Sequence, residues 1–321
     1  MSVPNAPTAV PEENRRDRFD DATWLLAINP VSGRGRGVKQ RSLIEAGLHE
    51  QGSRFRTVIS THAGHTADLV SEAVQDGCRR VLIAGGDGSF GEAVNGLFAQ
   101  NVVAADAVTL ALLPVGTGND WARGHGLPTE LGAAIRLATH GRAQPHDAGL
   151  IEFAVTGSRR WFINVAGTGF DAAVVERMPS RRLGRLAYVI GLLRGLSAYG
   201  PLPLQLAFDG RREKLDALVV FACIGSTCGG GMRVAPEARS DDGLLDLTLI
   251  RYLKPLQILR DIRRLFDGTL PSHPKVSCWK TTRVSLDGPA GTPVEADGEP
   301  VGHLPVEVSV LPAALRVVLR D

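Results

Sequence analysis

The chain has 321 residues, more than one ordinary domain and about the length of two. Hydrophobic residues at 44% and charged residues at 22% suit a globular protein with real cores, and 36 Lys+Arg against 34 Asp+Glu leave a net charge of +2, too balanced for a nucleic-acid partner. Four scattered cysteines (Cys78, Cys223, Cys228, Cys278) include no CxxC pair, so they read as reduced thiols packed in cores rather than zinc ligands.

Residues 1–20 are polar, contain proline and mixed charge, lack the apolar core of a signal peptide, and read as a disordered leader. The longest aliphatic run, residues 217–224, is far short of the roughly 20 residues a spanning helix needs. The expected location is therefore cytoplasmic, with any membrane contact peripheral.

From Thr23 the chain alternates between short apolar runs and helical stretches. Residues 24–28 suit a buried parallel strand; a glycine-rich loop and a helix over 38–50 follow. Residues 54–61 are strand-like and 66–74 helical. A third strand over 81–84 runs into Gly85-Gly86-Asp87-Gly88, a helix covers 92–98, and a fourth strand over 110–114 enters Gly116-Thr117-Gly118-Asn119-Asp120. This rhythm predicts a doubly wound α/β domain over residues 21–147, with its functional loops at strand C-termini, where open sheets bind ligands. After Asp147 strands dominate (150–155, 161–165, 204–208, 218–224, 245–250, 283–286, 306–311), which predicts a mainly antiparallel β-sandwich over 148–321, with room for its last strand to return to the first domain. Leu256, Leu259, Ile262, Leu265 and Phe266 recur at helical spacing among Arg260, Asp261 and Arg264, the pattern of an amphipathic helix.

Three loops carry chemistry. Asn29, Pro30, Val31, Ser32 and Gly33 follow the first strand, and with Gly35 and Gly37 form either an anion-binding loop or a tight structural turn. The loop lacks the Gly-Lys-Ser/Thr of a P-loop, and the second strand ends in Ser60-Thr61, without the acidic residue of a dinucleotide fingerprint. Gly85, Gly86, Asp87, Gly88 and Ser89 are sharper: the glycines let backbone close on a bulky anion, and Asp87 at the strand tip is placed to hold Mg²⁺ against nucleotide phosphates. In the third loop a hydroxyl, an amide and a carboxylate converge on the same sheet edge, or Asn119 or Asp120 caps the next helix.

Together these loops resemble the diacylglycerol kinase catalytic family, which includes bacterial soluble lipid kinases and the sphingosine and ceramide kinases. The resemblance runs from about Trp24 to the C-terminus, through His146-Asp147-Ala148-Gly149, the segments 164–171 and 240–247, and Glu295-Ala296-Asp297-Gly298-Glu299. It implies ATP held by Asn29, Pro30, Val31, Ser32, Gly33, Gly85, Gly86, Asp87, Gly88, Ser89, Phe90 and Gly91, with Thr61 and Thr117 adding contacts. It also implies that Asp87, Asp120 and Asp147 form an aspartate network around the catalytic Mg²⁺, and that Glu299 accepts the proton of the lipid hydroxyl. Asp242, with the carbonyls of Leu245 and Leu247, resembles a second, structural metal site of bacterial members. The family usually has Thr at Ser89, and Asn at Gly91, just before Glu92.

The implied substrate is a lipid alcohol, diacylglycerol first, then phosphatidylglycerol and sphingosine- or ceramide-like alcohols, at the inner face of a membrane; a homodimer is left open. Arg177, Arg181, Arg182, Arg185 and Arg194, interleaved with aliphatic residues, read either as a basic element lying on anionic lipid or as a core-packing helix with a solvated basic face. His62 and His65 read as loop histidines. Gly229, Gly230 and Gly231 read as a tight bend or the border of a lipid cleft. The rival readings are a kinase for a soluble acceptor, above all NAD, whose kinases share Gly-Gly-Asp-Gly, and a lipid-binding protein without catalysis.

Overall fold

The computed structural model describes residues 19–177 and 200–320. The leader expected over 1–20 lies outside the described residues except for Phe19 and Asp20, and Phe19 N–H donates to the Asp76 carbonyl at 3.1 Å. The basic stretch read from Arg177 to Arg194 also lies outside them, apart from Arg177 at the end of a helix.

The N-terminal layer is a parallel sheet of β1 (Trp24–Ile28), β2 (Phe55–Ile59), β3 (Arg80–Gly85) and β4 (Thr109–Pro114) in the order β2-β1-β3-β4. Side chains alternate along a strand, and here both faces are covered, so the strands read as continuous apolar runs. Leu25 and Ala27 pack with Val70, Val74, Phe90 and Val94 from α3 (His65–Gln75) and α4 (Asp87–Ala99). Trp24, Leu26 and Ile28 face Ile44 and Leu48 of α2 (Arg41–Glu50) and Ile135 and Ala138 of α6 (Leu131–His140). Two expectations need correcting. The first glycine-rich loop is shorter than 29–37, because α1 (Ser32–Lys39) begins at Ser32. Asp87 opens α4 rather than lying in a loop, since only Gly85 and Gly86 are needed for the turn.

Strands β5 (Arg142–Phe153) and β15 (Val306–Leu319) run antiparallel along almost their whole length, and β15 also joins β4 in parallel at Arg316↔Thr109 and Val317↔Leu110. These two strands carry the sheet into the C-terminal β-sandwich. It adds β6 (Arg159–Phe162), β7 (Val165–Gly169), β8 (Leu202–Phe208), β9 (Arg211–Cys223), β10 (Leu245–Arg251), β11 (Val276–Thr281), β12 (Arg283–Asp287), β13 (Pro293–Ala296) and β14 (Glu299–His303). Its interior is built from Phe153, Phe162, Leu206, Val220, Leu247, Val284 and Val306. The amphipathic segment is two short helices, Pro255–Asp261 and Arg264–Asp267, and not one. Its inward residue is Ile258, with Ile262 and Leu265 packed beside it, while Leu256 and Leu259 are exposed.

Candidate active site

Strands β3 and β4 end in register, Gly85 opposite Pro114. Their exits then pass backbone to backbone: Gly116 N–H donates to the Gly85 carbonyl at 3.0 Å, and a Cβ on Gly116 would lie 2.5 Å from Gly86 Cα. Only glycine permits that approach. It brings Asp87, at the start of α4, against the N-terminus of α5 (Asp120–Gly124). Asp87 Oδ2 accepts Asp120 N–H and its Oδ1 accepts Trp121 N–H, each at 3.0 Å. The cap of α5 is therefore Asp87, 33 residues upstream, and not the side chain of Asn119, which turns through a left-handed φ of 52° and donates to the Pro114 and Gly116 carbonyls.

Asp120 is buried beside Asp87. Its Oδ1 accepts from Arg123 Nη1 at 2.8 Å and its Oδ2 from Gly230 N–H at 2.7 Å. Burial, and next the Asp87 charge, push its carboxyl above the usual range. The two carboxylates flank one position: a Cβ on Gly118 would lie 3.2 Å from Asp87 Oδ2 and 3.6 Å from Asp120 Oδ2. Two hard oxygens around such a cradle, with mutual repulsion to relieve, fit a divalent cation.

The other residues that the resemblance places around a nucleotide follow the same sheet edge. Asn29, after β1, donates from Nδ2 to Ser89 Oγ at 2.8 Å and accepts Val31 N–H on Oδ1 at 3.1 Å, tying the first loop to α4. Thr61, after β2, has its Oγ1 3.0 Å from His62 Nδ1 and 3.1 Å from His65 Nδ1, and the two imidazoles stack at 4.6 Å. Thr117 is exposed at the tip of the third loop. Glu92 accepts Gly64 N–H and Thr66 N–H, so it caps α3.

Asp147 has backbone partners of its own. Its Oδ2 accepts Gly243 N–H and its Oδ1 accepts Ala313 N–H, both at 2.7 Å, which pins the 240–243 loop and the irregularity in β15 to β5. Burial raises its carboxyl. Its neighbour His146 is fully buried. Trp121 Nε1–H donates to His146 Nε2 at 3.2 Å, so the ring proton sits on Nδ1, 2.6 Å from the Asp147 carbonyl.

Glu299 follows the two-residue turn Asp297-Gly298, whose φ values of 51° and 74° explain the Asp-Gly pair. The Asp297 carboxylate accepts N–H groups of Ile163, Asn164 and Val165 at 3.0, 3.0 and 3.2 Å. It also lies against α4, because a Cβ on Gly91 would be 3.2 Å from its Oδ2. Burial first, with Asp87 adding, raises Asp297 to about 6. Glu299 itself pairs with Arg160, Nη2 to Oε2 at 3.2 Å. Arg160, Asp297, Gly118 and Gly230 were absent from the sequence-based site. Asp297 carried the signal of an Asp-Gly turn, and Gly118 and Gly230 lay in glycine-rich segments already singled out, whereas Arg160 carried none.

At the residues read as a second metal site a lysine lies between two carboxylates, and Asp246 Oδ2 is buried without a hydrogen bond among the described residues. Lys280 Nζ lies 2.7 Å from Asp242 Oδ2 and 3.3 Å from Asp246 Oδ2, so an ammonium already offsets these carboxylates. Leu245 and Leu247 lie in β10, which is paired with β9 and with β11. Among the described residues no group of three or more His, Cys, Asp or Glu could hold a metal ion.

Residues 23–151 match the family model described as the diacylglycerol kinase catalytic domain, and residues 164–319 match the YegS C-terminal NAD kinase beta sandwich-like domain. A Mycobacterium tuberculosis protein named diacylglycerol kinase is 36% identical over 309 residues, 95% of this chain and 96% of the relative. A Shewanella frigidimarina protein named "Probable lipid kinase YegS-like" is 32% identical over 281 residues, 85% of this chain and 86% of its own. A crystal structure of a Bacillus anthracis diacylglycerol kinase superposes with a TM-score of 0.72 at 20% identity, over 95% of this chain and 99% of that one, a likeness of fold. With both halves matched in order and the relatives aligned nearly end to end, the chain belongs to the diacylglycerol kinase and YegS-like family of lipid kinases.

Proposed function

We propose that the chain is an ATP-dependent lipid kinase that transfers the γ-phosphoryl group to a lipid hydroxyl, with diacylglycerol the first acceptor and phosphatidic acid the product. The observation that carries this reading is the carboxylate pair Asp87 and Asp120 around the cradle at Gly118, on the glycine-lined rim of the parallel sheet. Phosphoryl transfer asks the protein mainly for positioning and charge neutralisation. Asp87 and Asp120 would hold Mg²⁺, which supplies positive charge against the triphosphate. Gly85, Gly86 and Gly116 let backbone approach the phosphates, Asn29 and Ser89 fix the first loop over them, and Thr61 and Thr117 border the nucleotide. The 163–165 corner is held to the Asp297 turn, and Glu299 just beyond that turn accepts the proton as the lipid hydroxyl loses it.

Asp147 also fixes β5 to the 240–243 loop behind this site. The lipid would be met at the cytoplasmic face of a membrane, with the protein attached peripherally; no helix among the described residues is long and apolar enough to cross one. Incubation with γ-labelled ATP and Mg²⁺, followed by thin-layer separation, tests the reading against a panel of diacylglycerol, phosphatidylglycerol, sphingosine, ceramide and NAD. Label in a lipid product supports it; label in NAD alone, or in nothing, overturns it.

A further inference from the structure

Glu299 opens β14, which ends the sheet order and pairs with β13. A half-exposed carboxylate on such a strand has several rotamers, and only some could meet a hydroxyl held beside the nucleotide. The guanidinium of Arg160, 3.2 Å away, restricts it. Resting on the lipid-kinase reading, we propose that Arg160 is the positioning residue for Glu299, and that it registers the C-terminal carboxylate with the helix that carries Asp87.

Arg160 can do this because its own place is fixed. It lies in β6 opposite Ile151 of β5. Its neighbour Trp161 is gripped on both backbone groups by Asn95 of α4, and the Trp161 ring stacks on Phe98 of the same helix at 5.1 Å and 7°. Three residues further on, Ile163, Asn164 and Val165 donate to Asp297, two residues before Glu299. The β6–β7 corner is thus fastened to α4 at one end and to the Glu299 turn at the other, and Arg160 closes the loop between them.

Stability does not explain the pair. Half-exposed ion pairs contribute little to folding, and Arg160 Nε–H is buried with no acceptor among the described residues, which is a cost. An apolar side chain of similar length would serve the fold as well. A fork that aims one carboxylate has a reason to be arginine.

The test compares wild type with Arg160→Met, Arg160→Lys, Glu299→Gln and the double variant Arg160→Met/Glu299→Gln, in kcat and KM for ATP with diacylglycerol micelles. Glu299→Gln should lower kcat by about 100-fold or more, as expected for loss of a general base. Arg160→Met should lower kcat by at least about tenfold, with KM for ATP and the melting temperature nearly unchanged, and Arg160→Lys should fall between. In the Glu299→Gln background Arg160→Met should cost nothing further, because a residue acting through Glu299 has nothing left to position. Unchanged kcat in Arg160→Met, or additive losses, would overturn the proposal. Carbodiimide labelling of Glu299, followed by peptide mass spectrometry, tests the pairing even if no acceptor is phosphorylated. Faster labelling in Arg160→Met than in wild type supports the pairing, and equal rates refute it, whereas absence of lipid turnover in wild type refutes the kinase reading alone.

Discussion

Asn95 holds both backbone groups of Trp161. Its Nδ2 donates to the Trp161 carbonyl at 2.8 Å and its Oδ1 accepts the Trp161 N–H at 3.1 Å, across 66 residues of chain. The second Nδ2 proton goes to the Gly91 carbonyl, one turn earlier in α4, so the amide is fully used. Since among the described residues β6 pairs only with β5, this side chain takes the place of a neighbouring strand.

Asn95→Leu should therefore destabilise the protein by about 2–3 kcal/mol, because it strands the Trp161 N–H and C=O without partners. Equilibrium denaturation measures this. A midpoint equal to wild type would mean that water replaces the amide at no cost.

Gly118→Ala should abolish most turnover without unfolding the chain. Its backbone is not in the left-handed region, so alanine is tolerated conformationally, yet the added methyl would enter the space between Asp87 and Asp120. A displacement of that size at a reacting centre costs about 100-fold. Steady-state rates beside a melting curve separate the two effects, and wild-type turnover in Gly118→Ala would contradict the cradle.

His146 sets an acid limit. Burial first, with the His125 ring 5.3 Å away adding, lowers it from 6.5 to about 3, against the opposing pull of the Asp147 carbonyl and of Asp241. A group whose folded pKa is depressed contributes stability that is present above its unfolded value and lost as pH falls. The loss begins below about pH 6.5, continues toward about pH 3, and amounts to roughly 2 kcal/mol by pH 5. His146→Gln can keep both hydrogen bonds and should flatten this part of the stability–pH curve. Parallel curves for the two proteins would contradict the assignment.

Lys280 makes a different prediction about metals. If its ammonium serves Asp242 and Asp246, wild-type stability should be the same in chelator and in millimolar Ca²⁺. Lys280→Met should cost about 1 kcal/mol, as expected for a pair that is partly solvated, and should become Ca²⁺-responsive. A wild-type melting temperature raised by Ca²⁺, with the gain lost in Asp242→Asn, would contradict it.

Local chemistry made much of this molecule legible. The unbroken apolar runs at 24–28 and 81–84 announced strands covered on both faces, whereas Gly-Gly before Asp87, read as room for an anion, also serves the approach of Gly86 to Gly116. What stayed hidden depends on partners far away in the chain. Asp147 shows nothing in its local sequence of the backbone partner that holds one of its oxygens, Ala313, 166 residues on. Asp297 looks like a turn residue until it collects three N–H groups from 163–165. Lys280 is an ordinary surface lysine until β10 and β11 pair and set it opposite Asp246. Short strands such as β13, with 4 residues, give no periodicity to read.

The most direct measurement of the central claim is a calorimetric titration of ATP into the wild-type protein, with and without Mg²⁺, repeated with Asp120→Asn. Carboxylates that hold the cation against the triphosphate predict saturable binding that requires Mg²⁺ and is weakened at least about tenfold in the variant, the loss of one charge-assisted contact. ATP binding of equal strength without Mg²⁺, or unaltered in Asp120→Asn, would contradict the account.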